Sequence, residues 1–222
     1  MAVLGHDLRS PLSAIRTSAD LLEARLPAGR EQQLAIAIRQ SSQWMNNLIE
    51  DVLDFSRGKL GGGIPVKRTL VDNLGDVFIA VINEIMTSHP HVKIRQEVII
   101  SPGVFCDAGR MGQLLSNLLG NAVAHGVRDL PIEVIASMQE NHVVLSVMNH
   151  GPEIPDVLLP LFFQPFKRSA GGGRGEGLGL GLYIASQIVT GHNGTLSVTS
   201  TPEDGTRFVA TFPGTLEWTK EH

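Results

Sequence analysis

Two runs of mostly apolar residues, spaced alternately four and three apart, open the chain. The first is Leu4, Leu8, Leu12, Ile15, Ala19, Leu22 and Leu26; the second is Leu34, Ile38, Ser41, Met45, Leu48, Val52 and Phe55. That spacing keeps one stripe of an α-helix turned toward neighbouring helices. Pro27, Ala28 and Gly29 separate the runs as a turn, so the pattern predicts two long helices in an antiparallel hairpin. Trp44, Ile49 and Leu53 widen the apolar face beyond one seam. A lone hairpin cannot bury so much surface, so two hairpins are expected to pair into a four-helix bundle, a homodimer. The glycine-rich stretch 58–63 breaks the pattern and reads as a hinge.

Beyond the hinge the period alternates between strand-like and helix-like. A short strand is predicted over 66–70, then a helix capped by Asp72 that carries Leu74, Val77, Phe78, Val81, Ile82 and Ile85. A strand over 92–100 follows, then a helix from Asp107 to about His125. Strands near 132–138 and 142–149 turn through Glu140 and Asn141. A Pro/Gly-rich region leads to a helix over 178–190 that Gly191 stops, and strands near 195–199 and 206–212 close as a hairpin through Glu203, Asp204 and Gly205. Residues 215–222 read as a frayed tail. The fold class is α+β: a helical hairpin over 1–58, then a mixed α/β domain over 64–214.

Composition is that of an ordinary globular protein, 42% apolar and 18% charged. A net charge of −4 argues against a nucleic-acid partner, which calls for a basic face. The single cysteine, Cys106, excludes an intrachain disulfide and a Cys-based zinc site, fits a reducing, cytoplasmic setting, and reads as a buried small residue beside a strand. No apolar run has the length of a membrane span, and polar residues follow Met1 too soon for a signal peptide. The first helical pattern is already in phase at Leu4, which reads as a piece of a longer protein whose sensor region is missing.

Candidate chemistry begins at residues 5–12, Gly-His-Asp-Leu-Arg-Ser-Pro-Leu. His6 lies roughly 200° round from Leu4 and Leu8, so a helical His6 is expected to face water or a partner. Pro11 cannot donate to the carbonyl of Asp7, which is expected to bend or loosen the helix beside the histidine. In the helix over 107–125, Gln113, Asn117 and Asn121 stand four apart on one face amid leucines. Asparagine serves helix stability poorly there, and its amide oxygen can ligate Mg²⁺. Asn149 ends a strand, where it can accept a bond from an exocyclic amine, and Gly151 lets backbone approach a flat base. Residues 171–181 are glycine-rich and end in Gly177-Leu178-Gly179-Leu180-Gly181-Leu182 as a helix begins; backbone N–H groups freed at a helix start cradle phosphates, under a mobile flap. Walker, dinucleotide-fold and protein-kinase signatures are absent.

The octet resembles the H-box of HisKA-type sensor histidine kinases. Residues 113–125 resemble the N-box of GHKL (Bergerat-fold) ATPases, 149–154 the first glycine box, 161–166 the F-box, 177–182 the second glycine box, and Gly205 with Thr206 the final Gly-Thr element. The resemblance implies a catalytic core that takes ATP and Mg²⁺, phosphorylates itself at His6 with Asp7 as acid/base partner, and passes the phosphoryl group to an aspartate of a response-regulator receiver domain. It implies Asn121 as metal ligand with Asn117 beside it, Asn149 at the adenine amine, and His125 near the base. It implies Arg168 at the phosphates, Gly177, Gly179, Gly181 and Leu182 around them, and Thr206 in the same site. It also places at Ser10 the residue that orients water for dephosphorylation of the regulator. Three positions depart from the family pattern: Ala124 replaces a usual lysine, Asn149 a usual aspartate, and Glu153 a usual glycine. Ala124 and Glu153 support a rival reading, a pseudokinase that dimerises and docks regulators without productive ATP chemistry.

Overall fold

The structure, a computed structural model, describes residues 2–58, 63–166 and 178–215, with the backbone alone at 2–7 and 9. The chain divides into two compact units, Met1–Gly61 and Gly62–His222.

The first unit is the hairpin of α1 (Ala2–Arg25) and α2 (Arg30–Arg57). The α1 helix runs on through Pro11. Leu12 and Ala19 of α1 are buried, as are Ala35, Ser42, Leu53 and Asp54 of α2. The antiparallel register is tied from side to side: Arg39 Nε donates to Glu23 Oε2 at 2.8 Å and Arg16 to Gln43 Oε1 at 3.2 Å. The heptad seams divide between two tasks. One pair of helices in contact buries a narrow stripe from each, so Leu8, Ile15, Leu22, Leu34, Ile38, Met45 and Val52 stay exposed, Leu34 at 57%. Leu8, Pro11, Leu12, Met45, Leu48 and Ile49 line an apolar groove of about 380 Å³.

The second unit is a five-stranded mixed sheet under three helices. The sheet order is β2 (Ile94–Ile99), β4 (Ile132–Gln139), β5 (His142–Asn149), β7 (Gly205–Pro213), β6 (Thr195–Thr201). Only β2 and β4 run parallel. A parallel pair needs a crossover, and α4 (Ala108–His125) supplies it. The helices α3 (Leu74–Ser88), α4 and α5 (Gly181–Gly191) pack as a layer against the sheet. Period two decides which side of each strand they meet: Phe208, Ala210 and Phe212 of β7 are buried, whereas Arg207, Val209 and Thr211 are only half-buried. Opposite them lie the buried Phe78 and Ile82 of α3, the leucines 114, 115, 118 and 119 of α4, and Ile184 and Ile188 of α5. No helix among the described residues is long and apolar enough to cross a membrane.

Four expectations shift. The first strand is β1 (Thr69–Val71), not 66–70, and it pairs antiparallel with a strand the periodicity did not show, β3 (Val104–Cys106). Three residues are too few for alternation to be visible, and Cys106 is a fully buried member of that strand. Burial pushes its thiol up to about 11, so it is an inert packing residue. Asp72 does not cap α3: the preceding residue is Asn73, and no side chain caps the start. The helix begins at the buried Leu74, one residue later than a capping Asp72 requires. The helix expected from 178 begins at Gly181, because Gly179 takes φ 69° and its carbonyl accepts from Phe166 N at 3.0 Å, making 178–180 a turn.

His192, just past α5, joins three elements. Asp107 N donates to its Nε2 at 3.0 Å, so the proton sits on Nδ1, 2.8 Å from the Ile188 carbonyl it donates to. Asp107 also caps α4 through Arg110 N and accepts from Lys67 N. Burial lowers the His192 pKa below the ordinary 6.5, and nearby Arg68 adds to this, against the Ile188 carbonyl and Asp107. Below 6.5 the unfolded chain therefore binds a proton the folded one refuses. Stability from this site is complete above pH 6.5 and is lost as pH falls through that value toward the lower folded pKa. Chemical unfolding of wild type and His192→Gln between pH 7.5 and 5 is expected to show a shallower acid loss in the variant. Equal slopes would remove His192 as the cause.

Candidate functional site

The site is built where the middle and end of α4 meet the start of α5 and the ends of β5 and β7. The α4 leucines face the core, which leaves Gln113, Asn117 and Asn121 half-buried along one side. Arg110 donates to Gln113 Oε1 at 2.6 Å. Asn117 is different: its Nδ2 is buried and has no hydrogen-bond partner among the described residues. A buried donor without an acceptor costs about 1–3 kcal/mol, so this atom marks a place that a ligand acceptor can satisfy. Gly181, the first residue of α5, sits directly above; a Cβ there would lie 3.5 Å from Asn117 Oδ1. The N-terminus of α5, where a helix presents N–H groups without intrahelical partners, thus opens over the amide face of α4.

At the other end α4 stops at His125, whose side chain is exposed. The chain turns at Gly126, and Val127 N donates to His150 O at 2.8 Å. A Cβ on Gly151 would come 3.0 Å from His125 O, and one on Gly126 would overlap Ala122 O. The two glycines let the end of α4 abut the end of β5 backbone to backbone. Asn149, the last residue of β5, is 3% exposed and stands opposite Thr206 of β7, also buried, on the strand faces turned to the helices. Asn149 Nδ2 donates a long bond, 3.4 Å, to His150 O. Thr206 Oγ1 lies 3.0 Å from Ser200 Oγ, which accepts from Ile154 N at 3.0 Å.

The fold therefore brings Asn117 against Gly181 at the start of α5, and Gly151, Asn149 and Thr206 together by the end of α4; Asn121 lies on α4 between the two, Leu182 is half-buried in the first turn of α5, and Gly179 lies just before it. Phe163 meets Phe208 edge-on at 6.4 Å, which seats the 3-10 turn over Leu159–Phe163 beside β7. Ala124 and Glu153 are exposed. Arg168 and Gly177 lie outside the described residues, as do 171–177 of the glycine-rich stretch. His6 and Asp7 are placed on the backbone of α1, in the other unit, and Ser10 is exposed one turn on. Ser200 is the residue the sequence reading missed. Its one signal is its position opposite Thr206 across the last hairpin. Among the described residues no group of three or more His, Cys, Asp or Glu side chains could hold a metal ion.

A helical hairpin with a histidine in its first helix, followed by a three-helix, mixed-sheet sandwich of GHKL type, defines the class: the catalytic core of a histidine kinase. The His Kinase A (phospho-acceptor) domain family matches residues 1–61, and the histidine kinase-, DNA gyrase B- and HSP90-like ATPase family matches residues 106–216. The chain belongs to this ATPase family, in its histidine kinase branch. It is 37% identical over 202 residues to the bacteriophytochrome of Pseudomonas aeruginosa, a match covering 89% of this chain and 27% of that protein. It is 33% identical to the probable sensor histidine kinase TcrY of Mycobacterium tuberculosis, covering 91% of this chain and 43% of TcrY. The chain thus spans between about a quarter and a half of these relatives. Full-length ShkA, solved in complex with AMPPNP, superposes over 97% of this chain and 46% of its own with a TM-score of 0.69 and 26% identity.

Proposed function

We propose that the chain is the kinase core of a two-component sensor, residues 1–58 being the dimerising phospho-acceptor and 64–214 the ATP-binding catalytic domain. The observation that carries this reading is the buried Nδ2 of Asn117, without a hydrogen-bond partner among the described residues, beneath the glycine start of α5. A phosphate oxygen supplies the acceptor this atom lacks, and the α5 N–H groups supply donors for the same phosphates. Asn121 Oδ1 would hold Mg²⁺, which would supply charge neutralisation at the phosphates. Asn149 meets the exocyclic amine of the base, Gly151 lets the backbone close on it, Thr206 stands beside it, and His125 lies near the rim. Arg168 and Gly177 take the phosphate roles their motif positions give them.

In the transfer step an imidazole nitrogen of His6 forms a bond to the γ-phosphorus of ATP, and the bond from that phosphorus to the β,γ-bridging oxygen breaks, releasing ADP. The proton on the other ring nitrogen goes to Asp7. The phosphoryl group then moves to an aspartate carboxylate of a receiver domain, and Ser10 serves the reverse duty of orienting water. The setting is the cytoplasmic part of a larger sensor. The direct test is incubation with γ-labelled ATP and Mg²⁺: the chain is expected to take up one acid-labile, alkali-stable phosphate. The exposed Glu153 and Ala124 favour the pseudokinase alternative, which predicts dimerisation with no label in the same assay.

The exposed half of the hairpin seams supports the homodimer. Leu48 lies in the middle of the apolar groove of α1 and α2. Sedimentation is expected to show a dimer at tens of micromolar, and Leu48→Glu is expected to raise its dissociation constant at least about tenfold by placing a charge in an apolar contact. A monomeric wild type at that concentration would remove the bundle.

A further inference from the structure

We propose that Arg110 is the guanidinium that meets the terminal phosphate of a bound nucleoside triphosphate, with Gln113 as the residue that positions it. The proposal rests on the nucleotide reading above and adds a contact that reading does not use.

Arg110 shares a stripe with the two asparagines of α4. At about 100° per residue, positions 110, 117 and 121 fall within about 40° of one another round the helix, to one side of its leucines. Arg110 is half-buried there, in the first turn. Helix stability does not account for it. A cation in the first turn opposes the helix dipole, and Asp107 already caps this turn by accepting from Arg110 N. Arg110 is also the one side chain of α4 that stays charged at every ordinary pH.

Its direction is set by Gln113. Side chains on a helix lean toward its N-terminus, which would carry Arg110 off the end of α4. Instead its Nη1 donates to Gln113 Oε1 at 2.6 Å, one turn toward the C-terminus. The guanidinium is thereby held back over the stripe, on the turn next to Asn117.

The ligand runs the same way. Asn149 and Gly151 lie against the chain where α4 ends, and Asn117 lies under the start of α5, about two turns earlier in α4. A nucleotide laid with its base at the first place and its phosphates at the second points its tail toward the N-terminus of α4. The next turn along that line, about 6 Å further at 1.5 Å per residue, is the turn of Gln113. A diphosphate ends short of it. A third phosphate reaches toward it, and a planar guanidinium pairs with phosphate oxygens through parallel N–H bonds. Arg110 therefore separates triphosphate from diphosphate, and it bears on the phosphoryl group that leaves.

The test is calorimetric titration of the full chain with ADP and with AMPPNP, Mg²⁺ present, for wild type, Arg110→Ala, Arg110→Lys and Gln113→Ala, with melting temperatures taken on the same preparations. Arg110→Ala is expected to lower AMPPNP affinity by roughly tenfold or more, the size of a lost charge-assisted hydrogen bond, and to leave ADP affinity within about twofold. Its melting temperature should not fall, because the cation it removes opposes the helix dipole. Arg110→Lys keeps the charge without the fork, so its AMPPNP:ADP affinity ratio should lie between those of wild type and alanine. Gln113→Ala lets the guanidinium swing off the stripe and should lower the ratio in the same direction, so the lysine and Gln113 variants carry the test even where Arg110→Ala disturbs folding. Equal weakening of both nucleotides, or an unchanged ratio, overturns the proposal and leaves the nucleotide site standing. A wild type that binds neither nucleotide overturns both.

Discussion

His6→Ala is expected to drop phosphate uptake from γ-labelled ATP by at least about a thousandfold, to background. Removing the attacking atom of a covalent step leaves nothing for positioning or electrostatics to act on. The loss is expected to be clean. Alanine is a better helix former than histidine, by up to about 0.7 kcal/mol, so α1 is expected to stay helical. The nucleotide corner lies in the other compact unit, so ADP affinity should hold within about twofold, the size of a surface change. Labelling and ADP titration of the same preparation separate these readings: label lost with binding intact assigns His6 as acceptor. Label that persists in the variant moves the acceptor elsewhere, and label lost together with ADP binding reports a damaged fold.

How much of this was legible depends on length. The helices α1, α2 and α4 each extend for four or more turns, so their stripes stand out, and the hairpin of β4 and β5 shows clean alternation around Glu140, whose φ of 55° fits its turn. Short elements hide: β3 spans three residues, and its existence is decided by pairing with β1 rather than by its own pattern. Asp72 looked like a cap because capping residues are common before helices, but Asn73, itself a residue type favoured there, takes that position. The heptad seams were visible, yet periodicity alone does not divide a seam between the partner helix and the outside; only packing separated buried Leu12 and Ala19 from exposed Leu8 and Ile15. In the site, Asn117, Asn149 and Gly181 carry chemistry in their residue types and spacing, so they could be named in advance. Ser200 carries none: a serine in a strand is ordinary until register puts it across from Thr206. The position of Gly126 was equally silent, since its role is the absence of a Cβ against Ala122 O.

Two glycine-to-alanine changes are expected to move stability in opposite directions, and one of them should disable the base corner as well. Gly205 opens β7 at φ 73°, where an L side chain is strained by about 1–2 kcal/mol. An added Cβ there would also overlap the Asn149 carbonyl oxygen and lie 2.9 Å from His150 Cα. Both obstacles are backbone, the last residue of β5 and the one after it, so no rotamer change relieves them. Gly205→Ala is therefore expected to cost about 2–4 kcal/mol and to lower the melting temperature by roughly 5–15 °C. Relief has one route, moving the end of β5, and that shifts Asn149 away from Thr206 and Gly151 away from His125. ADP affinity should accordingly fall by more than tenfold even at temperatures where the variant is folded, since a reading group displaced by a fraction of its bond length leaves buried polar atoms unpaired. Gly120 is the internal control. It lies on the exposed side of α4 with nothing within 4 Å of a Cβ, so Gly120→Ala gains about 0.5–1 kcal/mol from helix propensity. Side-by-side melting and ADP titration of the two variants read the prediction. A Gly205→Ala protein that melts like wild type and keeps its ADP affinity would mean that the end of β5 yields freely, and the rigid corner on which base recognition depends would go with it.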